Sequence, residues 1–155
     1  MNKKHFLWFV FLPAIFMFSS CESFSLYSCP YSVYGVQMVL IAPEADDCDE
    51  KKASVVFMIQ NESKKDIVSF SVCFRLYDKD GSAVTVDSNA VSAVISETVP
   101  FGDCIEANLD ILPYLADFPE EVYQVDGFFV KEIHFADGSV WSDPFGTFSE
   151  QELFE

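Results

Sequence analysis

His134, in the stretch KEIHFADG, is one of two histidines in the chain, and the other, His5, precedes residue 20. An imidazole is the general base that a Ser-His-Asp site needs to take the proton from an attacking serine. On an α/β-hydrolase turn such a serine stands in G-x-S-x-G, which this sequence lacks. Alternation of apolar and polar residues sets His134 against Ile133 and Phe135, so a solvated strand position accounts for it without catalysis. The same scarcity of histidine excludes a multi-histidine zinc site, and Cys29, Cys48, Cys73 and Cys104 have no C-x-x-C spacing. Hard oxygen donors for Ca²⁺ stand at Asp46, Asp47, Asp49 and Glu50, and again in DKDG at Asp78 and Asp80. Neither run has EF-hand spacing; the second reads as a hairpin turn and the first as an acidic loop with at most weak calcium binding. No cofactor, metal or small-molecule substrate is expected.

A different chemistry attaches to Cys21. The chain opens with MNKKH and an apolar run from Phe6 to Phe18. That run is shorter than the ~20 residues a helix needs to cross ~30 Å of hydrocarbon, and Pro13 interrupts it, so residues 1–20 read as a cleaved signal peptide. Ser19 and Ser20 directly before Cys21 resemble the lipobox of bacterial lipoproteins, with Phe18 where that pattern more often has leucine. The resemblance implies cleavage before Cys21, diacylglycerol on its sulfur and, in many bacteria, a further fatty acyl chain on its amine. Each buried CH₂ contributes ~0.8 kcal/mol and a single myristoyl chain holds only marginally, so several chains on one cysteine make a stable anchor. The expected location is the bacterial cell envelope, outside the cytoplasm, with a membrane as partner through acylated Cys21.

Nine basic side chains face 25 acidic ones, a formal charge of −16, and Lys3 and Lys4 leave with the leader. Nucleic acid is excluded as a partner, because neutralising phosphates takes clustered Lys and Arg, whereas the pairs at 51–52 and 64–65 sit beside carboxylates. An acidic body also stands off from an anionic leaflet rather than binding it. Aromatic stretches such as SFSVCFRLY and DGFFVKEIHF argue for a folded core, and residues 21–155 are of single-domain length.

The elements that would position these groups read as strands. Residues 21–32 form a tether, and the domain spans 33–155. VYGVQMVLI, bounded by Pro30 and Pro43, is a first strand and ASVVFMIQNES a second. In IVSFSVCFRLYD, Val68, Phe70, Val72, Phe74 and Leu76 alternate with polar residues, one buried face of a third. DKDG closes it in a tight turn. CIEANLDI alternates Ile105, Ala107, Leu109 and Ile111 against Cys104, Glu106, Asn108 and Asp110. LPYLADFPEEV is a connection with room for one helical turn. Phe135 is expected to face Val140 or Trp141 across an Asp-Gly hairpin. About seven short strands, frequent turn signals and no long helical period predict an all-β, antiparallel β-sandwich.

CFRLYDKDG resembles the FxLYD family of bacterial envelope domains at Phe74, Leu76, Tyr77 and Asp78. VVFMIQNESKKDI is similar to that family's preceding strand and N-x-S turn, and VPFGDCIEANLDI to a later turn and strand, so the likeness covers residues 53–111. It implies an immunoglobulin-like sandwich in secreted or lipid-anchored proteins, without catalytic residues. Phe74 and Leu76 would be core residues, Tyr77 would lie on the opposite face, and Asp78 would begin the turn.

Four cysteines in an exported chain allow two disulfides. With Cys29 just ahead of the first strand and Cys104 at the start of the fifth, both fall at one end of such a sandwich and Cys48 at the other. A Cys29–Cys104 bridge is therefore expected, closing a long loop for ~4 kcal/mol, while Cys73 is left to pair with Cys48 or stay free. The functional expectation is a lipid-anchored envelope protein, not an enzyme, that binds or scaffolds an unknown protein partner. The runner-up is an enzyme accessory or weak hydrolase centred on His134.

Overall fold

The computed structural model describes residues 28–41, 51–86 and 90–148. Cys21, Cys48 and the acidic run at 46–50 lie outside them. The elements are β1 (Tyr31–Ile41), β2 (Lys52–Asn61), β3 (Ile67–Tyr77), β4 (Val91–Ile95), β5 (Cys104–Asp110), a 3-10 turn at Leu112–Tyr114, β6 (Gln124–Phe135) and β7 (Val140–Ser142). The first strand thus begins at Tyr31, two residues inside the stretch read as tether.

Two antiparallel sheets form, ordered β1-β2-β5 and β4-β3-β6-β7. Each strand is apolar on alternate residues, so each sheet has one face that must leave water, and two such faces laid together solve both problems. β2 sends Ala53, Val55, Phe57 and Ile59 inward and Ser54, Val56, Met58 and Gln60 outward. Phe57 meets Phe70 and Phe128 of the opposite sheet at ring-centroid distances of 6.4 and 4.7 Å, and Phe128 stacks on Phe74 at 5.7 Å. Burying one such ring contributes about 1.5–3 kcal/mol. The β-sandwich class is as expected. Its fourth strand, β4, pairs with β3 rather than beside β5, where an immunoglobulin constant-type domain places it.

Period-two reading fails locally where the ladder bulges. Val68 is 40% exposed and Ile67 fully buried, because the β3–β6 register shifts between Ile67 and Ser69 and turns both Ile67 and Phe70 inward. Gly35, at φ +62°, sits in a second bulge where the β1–β2 register shifts between Tyr34 and Gln37. At the last hairpin Trp141 pairs with Ile133 and Val140 with His134, while Phe135 closes the turn by donating its N–H to the Ser139 carbonyl at 3.0 Å. Three residues, Ala136, Asp137 and Gly138, form the loop, so Phe135 is opposite Ser139 and neither Val140 nor Trp141.

The Cys29–Cys104 bridge is a correction as well. Cys29, Cys73 and Cys104 are free thiols. Cys29 and Cys104 do fall at one end, since Tyr31 pairs with Asn61 and Cys104 with Gln60. However, β2 runs between their strands, and two strand spacings total about 9–10 Å, beyond the ~7 Å Cα limit of a disulfide. Cys104 also points outward while Cys29 packs on the core.

Candidate functional site

The sandwich has a proximal pole, where the chain leads into β1, and a distal pole at the far ends of the strands. At the proximal pole Asn61, fully buried at the end of β2, organises the N-E-S turn. Its side-chain NH₂ donates to the carbonyls of Lys65 and Val99 at 2.8 Å each, and its side-chain oxygen accepts from the Ser63 N–H at 3.0 Å and the Ser63 hydroxyl at 2.6 Å. Every polar atom of that amide is thereby engaged, as burial requires. Next to it, the Asp66 carboxylate accepts from the Phe101 N–H at 2.9 Å and the Asp66 carbonyl accepts from the Ala136 N–H at 2.9 Å.

Lys65, Asp137 and Ser139 form a cluster that the sequence reading did not single out. The Lys65 ammonium lies 2.7 Å from the Asp137 carboxylate and donates to the Ser139 hydroxyl at 2.8 Å, and that hydroxyl donates to Asp137 at 2.5 Å. Lys65 first, then Ser139, hold the Asp137 carboxyl well below the usual carboxylate range. Serine beside lysine suggests a nucleophile with its base, but the polarity here is reversed. The lysine donates to the hydroxyl as an ammonium instead of accepting from it. The carboxylate that accepts the hydroxyl's hydrogen bond is held well below its usual range and is a weak base, so the oxygen is held rather than activated. The three residues come from two turns 74 positions apart; the ADGS turn signal was legible, and its lysine partner was not.

His134 faces outward on β6 and lies 2.6 Å from Glu132, both side chains about half exposed. Across the strands they pair with Ser69 and Ser71. The outer face of the four-stranded sheet is therefore a polar row in which His134 and Glu132 make a solvated pair. A hydrolytic site also requires preorganised donors in a water-excluded pocket, whereas His134 and Glu132 stand about half exposed on an open sheet face.

Phe74 and Leu76 are buried, and Tyr77 is half-buried on the other side of β3. The Asp78 carboxylate accepts from the N–H groups of Asp80 and Ser82 at 2.9 and 2.8 Å, and Gly81 supplies the left-handed backbone at φ +78°. Asp78 and Gly81 shape a turn at the distal pole.

That pole gathers carboxylates. Tyr123, whose N–H points at the Met38 sulfur at 3.0 Å, has a phenol pushed up by burial and by Asp78, Glu121, Glu120 and Asp117. Lys79 reaches Glu121 at 3.5 Å, and Lys51 lies 5.2 Å over the Phe118 ring. Among the described residues, no group of three or more His, Cys, Asp or Glu is disposed to hold a metal ion, and no helix is long and apolar enough to cross a membrane.

Two further buried groups brace the framework. The Tyr31 hydroxyl accepts from the Val130 N–H across the sandwich at 3.1 Å, beside a register shift in β6, and its ring meets Trp141 edge-on at 5.6 Å. Burial pushes both the Tyr31 phenol and the Cys29 thiol up, so Cys29 is a poor nucleophile. Burial also works against the charge of Asp143, but hydrogen bonds from Phe148, Thr147 and Phe145 outweigh it and keep that carboxyl below its usual range.

No family model matches the chain, and no curated protein matches it. Among solved structures, an X-ray structure of a hypothetical protein from Peptoclostridium difficile 630 aligns with a TM-score of 0.55 and 14% identity, covering 75% of this chain and 87% of that one. At that identity the likeness is one of fold alone: this chain folds as a β-sandwich similar to that protein.

Proposed function

We propose that this chain is a lipid-anchored protein of the bacterial envelope, similar to FxLYD domains, whose sandwich binds or scaffolds another protein rather than catalysing a reaction. The observation that carries this reading is the placement of β1. Its first residue, Tyr31, stands at the pole whose turns are tied together by Asn61, Asp66 and Lys65. The stretch from Cys21 to Pro30 reaches at most ~35 Å when fully extended, so a lipid on Cys21 holds that braced pole near the membrane. The sheet faces, the strand edges and the acidic distal loops then point into the envelope space, where connecting segments and edges meet partners.

The test is the intact mass, without reductant, of the protein purified from membranes of its own host. A mass that starts at Cys21 and carries acyl chains is expected. An unacylated mass that begins elsewhere overturns the anchored reading.

A further inference from the structure

We propose that β5 is a strand-addition site that takes an extended segment of a partner protein in which Lys or Arg alternates with apolar residues. The inference rests on the reading of the domain as a binding module and specifies the partner's chemistry.

Four strands lie at sheet edges: β1, β5, β4 and β7. Natural edges are blunted by shortness, bulges, proline or charged side chains, and among the described residues β5 has only charge, which sets the sign of what it can accept. β1 carries the Gly35 bulge, β4 has five residues and β7 three. β5 has seven residues, no glycine or proline, and an unbroken register with β2 from Gln60↔Cys104 to Ser54↔Asp110. Among the described residues, the backbone bonds outside the strand ladders include none from residues 104–110. Its outer edge therefore presents N–H and C=O groups in the pattern that an added antiparallel strand completes.

The side chains of β5 select what is added. An incoming strand sets its residues alternately on the two faces of the sheet. On the core side, Ile105 and Leu109 are half-buried and flank fully buried Ala107, leaving apolar flanks for apolar neighbours. On the outer side stand exposed Glu106, Asn108 and Asp110, with Asp103 just ahead. Opposite charges directly across a ladder are favourable and like charges are not. The edge thus rejects an acidic strand and selects a basic one, and a second copy of this chain, at −16, is disfavoured.

The probe is a capped KVKVKVK peptide titrated into the isotope-labelled full chain in a neutral detergent, with backbone amide resonances followed. Amides of residues 104–110 are expected to shift and to exchange more slowly. KVKPKVK, which lacks the central N–H, and EVEVEVE should each bind about tenfold more weakly or worse. Glu106→Lys/Asn108→Lys should weaken KVKVKVK binding about tenfold; Asp110 is left in place because its carboxylate accepts from the Leu112 N–H. Equal binding of KVKPKVK reduces the effect to charge attraction and overturns the proposal. So does self-association through β5 without peptide, or the absence of any shift. Shifts confined to residues 78–86 and 112–123 overturn β5 as the site while leaving the binding-module reading intact, and the acylated mass tests anchorage independently.

Discussion

The two poles of the sandwich handle charge in opposite ways. At the proximal pole polar groups are tied across turns: Lys65 holds Asp137, Asp66 holds Phe101, and Asn61 holds Val99 as well as Lys65 of its own turn. Ser32 similarly donates to Glu62 across β1 and the first turn. At the distal pole Asp78, Glu121, Glu120 and Asp117 add to burial in pushing the Tyr123 phenol up, Lys79 reaches Glu121, and Lys51 lies over the Phe118 ring. One end is cross-linked by hydrogen bonds between loops; the other gathers carboxylates whose field acts on the Tyr123 phenol. Like charge gathered at one end costs stability and repels anionic surfaces; under the proposed anchorage this is the pole directed away from the membrane.

The contrast makes graded predictions. Asn61→Ala removes four hydrogen bonds from a buried site and should cost about 3 kcal/mol, read as a lower urea midpoint at unchanged slope. Asp78→Ala removes two solvated turn bonds and should cost about 1 kcal/mol; a loss equal to that of Asn61→Ala would erase the distinction between the poles. Asp117→Asn/Glu120→Gln should raise stability by a few tenths of a kcal/mol at low salt, a gain that fades as salt screens the remaining carboxylates. His134→Ala should change stability by less than about 0.5 kcal/mol and leave the fold intact; loss of a measurable hydrolytic activity in that variant would revive the enzyme reading.

Titration separates the poles further. The Asp137 carboxyl is depressed in the folded state, so its contribution is complete above its unfolded value, near 4, and is lost as pH falls below that. Lys65→Met should flatten the acid arm of the stability curve. The Tyr123 phenol is raised, so its contribution is present below its unfolded value, near 10, and is lost as pH rises through the folded one. Asp117→Asn/Glu120→Gln should bring the Tyr123 phenol down, visible by ultraviolet difference absorbance, and leave the acid arm unchanged.

The alternation in β3 and β5 was legible because one side of each strand must be apolar to fill the interior, and that pattern survives in the linear sequence. Phe74, Leu76 and Asp78 were placed correctly for the same reason: two core positions and a turn-capping carboxylate are local facts. Val68 was misread because a bulge is set by the partner strand, β6, and leaves no mark in β3 itself. The Cys29–Cys104 bridge failed on lateral order. Sequence placed both cysteines at one end, but which strand separates them depends on sheet pairing.

What the sequence determined by itself was the set of strands, their buried faces and the acidic balance, since period-two patterning and residue charge act over a few positions. Tertiary structure decided which turns meet, which cysteines stay apart, and which strand is left at an open edge. Lys65 finds Asp137, and β5 ends without an outer neighbour, because sheet order is fixed by contacts between residues far apart in the chain.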